Sequence, residues 1–404
     1  MRLTPTGSRP QSEVAYVRPL LTVFLGWLWV MAGVNFAAPL YEVYAGTFGF
    51  GGIVLTTVFA VYAVTLVATL LLCGRVADRF GRRPVILAGM LVACVALVVF
   101  AVAQLTGWLY AARALQGVGV GLISGPATAA LVEIDPQRGA RRPAMLAGVA
   151  QAAGSGLGPV ISGCLAQWAP DPLRLSYLLG LVGTVVAAGF VYFLPQREHG
   201  EEPWRIQWPR VGADIRADFL RVGLTAGLVW GSLALYLSVV PSYVAELLST
   251  DNLAILGANS ALACFASAGT QVWARRRGRR VHRSQAIGLG LLATGLVLLV
   301  ASSLSHSLVT VLLGAVLTGV GHGYAFLHAQ DEVNGIAPGN RRAEVTAAFV
   351  CCIYVLVGGS AIAIGLLEEL TGLTTGVCVV GGALTLGALV TAKWQTARGR
   401  QLAG

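Results

Sequence analysis

Three groups of residues in this 404-residue chain could carry charge or a proton within apolar surroundings. The first is the run GRVADRFGRRP at 74–84, with Gly74, Asp78, Arg79, Gly81, Arg82 and Arg83. The second is Arg113, within LYAARALQGVGVG. The third is His322, within TGVGHGYAF, with His328 six residues later. Ionisable groups in such settings are costly and mark relays, latches or ligand contacts. Asp78 requires a cation or a helix amino terminus beside it. Arg79, Arg82 and Arg83 can bind lipid phosphates or carboxylates, with Glu133 and Asp135 the nearest candidates by topology. Gly81 permits a tight turn with positive φ, and Gly74 lets a neighbouring helix approach closely. Arg113 either snorkels to the nearer surface, or keeps a nearby carboxylate ionised or holds an anionic group. His322 titrates near neutrality, or else stays neutral against a carbonyl or Tyr324. Two histidines make a poor metal site, and neither a metal nor a cofactor is expected.

The elements that must position these groups are membrane helices. The hydrophobic fraction is 56% and the mean hydropathy +0.74, more apolar surface than a water-soluble fold of this size could bury. Apolar stretches long enough to cross a bilayer fall near 18–41, 53–74, 84–104, 108–132, 143–166 and 174–194, then 221–246, 253–274, 285–304, 308–331, 343–367 and 373–393. The fold class is therefore all-α membrane protein with twelve spans. Residues 1–17 form a polar tail without a signal-peptide pattern. Two six-helix bundles, 18–194 and 221–393, are joined by the polar linker 195–220, and 394–404 is a second tail. The seven cysteines lie in or beside apolar runs without metal spacing and read as packing residues.

The net charge of +10 comes from arginine, since Lys393 is the only lysine. In a soluble protein it would suggest nucleic acid, but the aromatic interleaving of such a groove is missing. Arginines gather instead in alternate loops: at 75–83, 138–142, 197–221, 275–283 and 341–342, while Arg174 stands alone on the other side. The positive-inside rule then puts both tails in the cytoplasm.

The halves repeat. GVGVG at 117–121 meets GVGHG at 319–323, and Pro39-Leu40-Tyr41 meets Pro241-Ser242-Tyr243, both at an offset of 202. Arg141-Arg142 meets Arg341-Arg342 at 200, and Gly81-Arg82-Arg83 meets Gly278-Arg279-Arg280 at 197. Collinear repeats in a membrane chain are a mark of secondary transporters, with the site between the repeats near mid-depth.

The complete pattern G-x-x-x-D-R-x-G-R-R between the second and third spans resembles the signature of the major facilitator superfamily, specifically its twelve-helix drug/proton antiporter group. The resemblance covers nearly the whole chain. It implies two pseudo-symmetric bundles, alternating access, and a latch in which Asp78 and Arg79 hold the halves together on the cytoplasmic side. The second half keeps RRGRR without the aspartate, so an equal latch is not expected there. Leu109-x-x-x-Arg113-x-x-Gln116-Gly117-x-Gly119 resembles the fourth-span motif of proton-coupled members. Gly154-x-x-x-Gly158-Pro159-x-x-Ser162-Gly163 resembles the exporters' antiporter motif, with Ser162 in place of a glycine. Its glycines offer a smooth face, expected against the eleventh span at Gly358, Gly359 and Gly365, and Pro159 bends the helix.

Many proton-coupled exporters carry a carboxylate inside the first span, whereas this chain has Asn35. Glu42, about two turns on along the same face, is either a coupling residue or simply solvated. Glu246 is its weaker counterpart, and Asp331 and Glu332 are expected to pair with Arg341 or Arg342. Trp29, Asn35, Tyr41, Gln116, Gln151, Trp230, Tyr236, Asn259 and Tyr354 are the candidate cavity residues, a weakly charged set suited to a lipophilic or mildly polar solute. An intramembrane enzyme would need clustered ionisable groups, and the sequence offers none beyond Glu368-Glu369. The expected function is proton-driven export of a small organic molecule from the cell by a monomer in the inner membrane. Import or facilitated passage of a sugar or organic acid is the alternative, and substrate, protons and lipids are the expected partners.

Overall fold

The computed structural model describes residues 13–134, 141–195, 208–276 and 281–401. Among them there is no strand, and twelve helices are long and apolar enough to span a membrane. The first span is broken into α1 (Glu13–Asn35) and α2 (Ala37–Phe48). α3 (Gly52–Cys73), a short α4 (Val76–Phe80), α5 (Arg82–Ala101), α6 (Thr106–Ile134), α7 (Arg141–Trp168) and α8 (Pro172–Tyr192) complete the first half. The second half opens with another broken span, α9 (Arg216–Ser238) and α10 (Val240–Leu248). It continues through α11 (Leu253–Arg275), α12 (Val281–Ser305), α13 (Leu308–Ile336), α14 (Arg342–Thr371) and α15 (Leu373–Gln401). α9 thus starts inside the expected linker, and α15 extends into the expected tail.

The breaks fall at equivalent places in the repeat. Pro39 sits in the first turn of α2 and Pro241 in that of α10. Neither has an N–H to give the carbonyl four residues back, so each interrupts the helical ladder. Helix pairing follows the same twofold plan. In the first half α5 packs on α6 and α8, α3 on α6, and α1 on α6, α7 and α8. In the second half α12 packs on α13 and α15, α11 on α13, and α9 on α13, α14 and α15. Every pairing of one half recurs in the other.

The repeated glycine run explains part of this register. A side chain at Gly117 would strike Thr65 and the Tyr62 carbonyl of α3, and one at Gly319 would strike the Ala263 carbonyl of α11. The middle glycines turn to the next neighbour, Gly119 to α5 at Gly89 and Ala93, and Gly321 to α12 at Gly288 and Leu292. Helices without side chains between them approach to backbone contact. The two halves meet along two seams, α3 with α14 and α7 with α11, which are also exchanged by the twofold. The first half buries its apolar side chains in two clusters and the second in one larger cluster, which Phe59 of α3 joins across the seam.

Candidate functional site

At the arginine-rich end, Gly81 holds φ +98°, the left-handed region glycine tolerates, and turns the chain from α4 into α5. The turn places Arg82 between two carboxylates: its Nη1 is 2.6 Å from Asp78 Oδ1 and its Nε is 3.1 Å from Glu133 Oε1. Arg83 donates to the Leu194 carbonyl (3.2 Å) and stands over the Tyr192 ring, tying the loop to the end of α8. Arg79 lies exposed over the neighbouring Phe80 ring. The contacts of Asp78, Arg82, Arg83 and Glu133 all lie within the first half. Gly74 ends α3 in right-handed geometry. Asp135 lies outside the described residues.

The second half builds its polar cluster from different elements. Arg221 of α9, 1% exposed, pairs with Glu332 of α13 and Asp218, and donates to Gln395 of α15. Asp331 pairs with Arg275 at 3.0 Å. The sequence-based pairing of Asp331 and Glu332 with Arg341 or Arg342 is therefore corrected. α13 runs past both acids to Ile336 and carries them back beside α9 and α11 rather than forward to the next loop.

Arg113 is also 1% exposed. Its Nε donates to the Tyr41 hydroxyl (2.5 Å), and its Nη1 to the Val34 carbonyl (2.9 Å) and Gln116 Oε1 (2.8 Å). Gln116 Nε2 donates to the Gly33 carbonyl (3.3 Å). The rings of Tyr41, Phe59, Tyr62 and Phe100 surround the guanidinium. Among the described residues it forms no ion pair, so its donors are taken by neutral oxygens at the break of the first span. The equivalent carbonyl of the second half, at Tyr236, is taken by the Ser260 hydroxyl instead. The same break is thus capped by a cation in one half and by a neutral donor in the other.

The antiporter-type motif sits inside α7. Side chains at Gly154 and Gly158 would strike the Leu28 and Ala32 carbonyls of α1, one at Gly163 would meet the Leu253 carbonyl of α11, and the Pro159 carbonyl abuts Gly257. The expected partner, the eleventh span, is replaced by α1 and α11. Gly365 packs on Gly52 and Thr56 of α3, while Gly358 and Gly359 face open space. The fifth and eleventh spans are repeat equivalents, so the twofold exchanges them rather than pairing them. The α7–α11 seam continues toward the arginine-rich end, where Gly148 lies against Gln271 Oε1.

His322 is fully buried. Its Nδ1 is 2.7 Å from Ser267 Oγ, which accepts from Gln271 Nε2 at 3.3 Å. Trp230 meets the imidazole edge-on with centroids 4.8 Å apart, and Phe326 lies 5.5 Å away. His322 Nε2, Gln271 Oε1 and both amide atoms of Asn259 are buried without a partner among the described residues. Ser267 and Gln271 escaped sequence reasoning, although Ser260, Ser267 and Gln271 form a polar stripe on one face of an apolar span.

The other candidates scatter. Trp29 donates to the Gly180 carbonyl (3.2 Å) and packs on Gly183 of α8, so it belongs to the first bundle's interior rather than to the space between halves. Asn35 donates to the Met31 carbonyl and to Ser155 Oγ (3.2 Å), joining α1 to α7. Tyr41 is occupied by Arg113. Tyr236 is buried with its hydroxyl toward Gly314. Tyr354 meets Tyr62 edge-on across the α3–α14 seam. Gln151 is half-buried on α7. At the end opposite the arginines, Glu42 is exposed and shares its surroundings with Glu246, Glu368 and Glu369.

Twelve spans in two exchanged halves, with a glycine-turned basic loop after the second, decide the family, and the family model of the Major Facilitator Superfamily matches residues 20–365. The chain belongs to the Major Facilitator Superfamily. This is a transporter family, and the chain is a multi-pass membrane protein. Among curated relatives, an uncharacterized MFS-type transporter of Mycobacterium tuberculosis is 31% identical over 42% of this chain and 29% of its own length. Multidrug resistance protein MdtL of Escherichia coli is 36% identical over 22% of this chain and 24% of its own. The major facilitator superfamily multidrug transporter mfsC of Aspergillus fumigatus is 30% identical over 41% of this chain and 32% of its own. Each likeness spans about a third or less of the relative.

Proposed function

We propose that this major facilitator protein exports a small organic solute by alternating access, driven by proton entry. The observation that carries the reading is the pair of exchanged seams, α3–α14 and α7–α11, whose glycines allow two rigid bundles to close against each other at either end. The motif within α7 and the multidrug relatives favour export. The arginine-rich end faces the cytoplasm by the positive-inside rule, which places both termini inside and the plasma membrane as the location.

Glu42 and His322 are the groups proposed to exchange protons, and Arg113 supplies a fixed charge because its guanidinium never deprotonates. The Asp78–Arg82–Glu133 cluster holds the loop rigid on the first half, ready to bear on the second half when the cytoplasmic end closes. A monomer suffices for this cycle.

The test is flux in proteoliposomes carrying the purified protein. Uptake into inside-out vesicles should rise when an acid interior is imposed, and Glu42→Gln or His322→Gln should abolish that dependence while leaving downhill flux. Flux indifferent to the pH gradient would overturn proton coupling. Net movement in the opposite direction would favour an importer.

A further inference from the structure

The space beside α9, α11 and α13 contains a hydrogen-bond chain with two unused ends. Ser267 Oγ accepts from Gln271 Nε2. Its own proton then goes to His322 Nδ1, 2.7 Å away, which puts the imidazole proton on Nε2. Only this assignment leaves no hydroxyl proton idle. The chain ends in an orphan donor, His322 Nε2, and an orphan acceptor, Gln271 Oε1, each buried without a partner among the described residues. His322 is 0% and Gln271 1% exposed, where an unsatisfied polar atom costs about 1–3 kcal/mol. Trp230 and Phe326 wall the imidazole with flat apolar faces.

The charge of this region is equally specific. All 18 carboxylates of the sequence fall in tails, loops or within about two turns of a span's end. No anionic side chain therefore lies at the depth of His322 to balance a cation.

We infer that Gln271, Ser267 and His322 form the second half's share of the solute site, and that it takes an uncharged planar group offering one donor and one acceptor, as a primary carboxamide on an aromatic body does. The inference rests on the transport reading and adds the substrate class. Gln271 Oε1 is pressed on Gly148 of α7 while the seam is closed. The acceptor becomes available only as the halves part, so the solute binds the opened seam and closure competes with it.

Equilibrium binding to the purified protein, with no gradient, tests this by calorimetry with three naphthalene probes. 2-Naphthamide should bind saturably. N,N-Dimethyl-2-naphthamide, which lacks the donor, should bind about tenfold more weakly or worse, and 2-naphthylmethylammonium should not bind. Gln271→Leu should erase the preference between the two amides. The probe series is read on the native sequence, so it stands even where the variant fails to fold. Equal affinity for the two amides, no binding of 2-naphthamide, or preference for the ammonium overturns the inference. Because no flux is measured, an intact probe pattern with failed proton-driven transport would strike the transport reading alone.

Discussion

The carboxylate of Glu368 rests on Gly52, in the space a side chain at that position would fill. Glu368 belongs to the last turns of α14 and Gly52 to the first turn of α3, so this contact closes the end opposite the arginines. One carboxylate oxygen is buried there without a partner among the described residues. Overpacking costs about 1–3 kcal/mol, enough to shift a two-state balance roughly tenfold. Gly52→Val should therefore wedge this end open. A cysteine at Thr56, fully buried in the native protein, should become reactive to maleimide, and continued protection would show that the contact does not gate the seam.

Arg82 bridges two half-exposed carboxylates, and such pairs contribute about 0–1 kcal/mol to stability. Arg82→Ala should leave the thermal midpoint within a few degrees of the parent but cut transport severely. A large loss of stability with normal flux would make the cluster a folding element instead.

Arg113 is different because it is buried. Its removal strands the Tyr41 hydroxyl, the Val34 carbonyl and Gln116 Oε1, each at about 1–3 kcal/mol. Arg113→Ala should lower the unfolding midpoint by several degrees and uncouple flux from pH. Arg113→Lys, with a point charge in place of a fork, should restore only part of the stability. Thermal unfolding followed by tryptophan fluorescence measures both, and an unchanged midpoint would deny the cap at the break.

The glycines of α7 provide an internal control. Gly158→Ala sets a methyl against a backbone carbonyl that cannot yield and should cost about 2 kcal/mol or more. Gly359→Ala enters open space and should change stability by no more than about 0.5 kcal/mol. Equal effects, read from the monodisperse fraction on gel filtration after heating, would contradict the helix register.

Much of the architecture was legible because membrane spans and their repeat are written in hydropathy, arginine and glycine. The loop at 74–84 announced its turn at Gly81 and the pairing of an arginine with Glu133. Pairings that depend on where distant helices lie were not legible. The partner of the α7 glycines was assigned to a repeat-equivalent span, though twofold exchange forbids that choice. Arg113 looked like a partner for a carboxylate, but the break at Asn35–Phe36 supplied carbonyls that a sequence does not display as acceptors. Ser267 and Gln271 were hidden because neither is ionisable, and their meaning comes only from lying beside His322. Trp29 was misplaced for the opposite reason: a lone tryptophan in a span carries no mark of which neighbour it faces.

The central claim is that the halves move as rigid bodies, opening one end as the other closes. In a background without the seven native cysteines, spin labels at Thr47 and Thr371 report the end opposite the arginines, and labels at Phe80 and Arg276 report the arginine-rich end. Distances between each pair, measured by double electron–electron resonance at high and low pH, should change in opposite directions, while pairs within one half stay fixed. Both ends widening together, or distances changing mainly within a half, would contradict it.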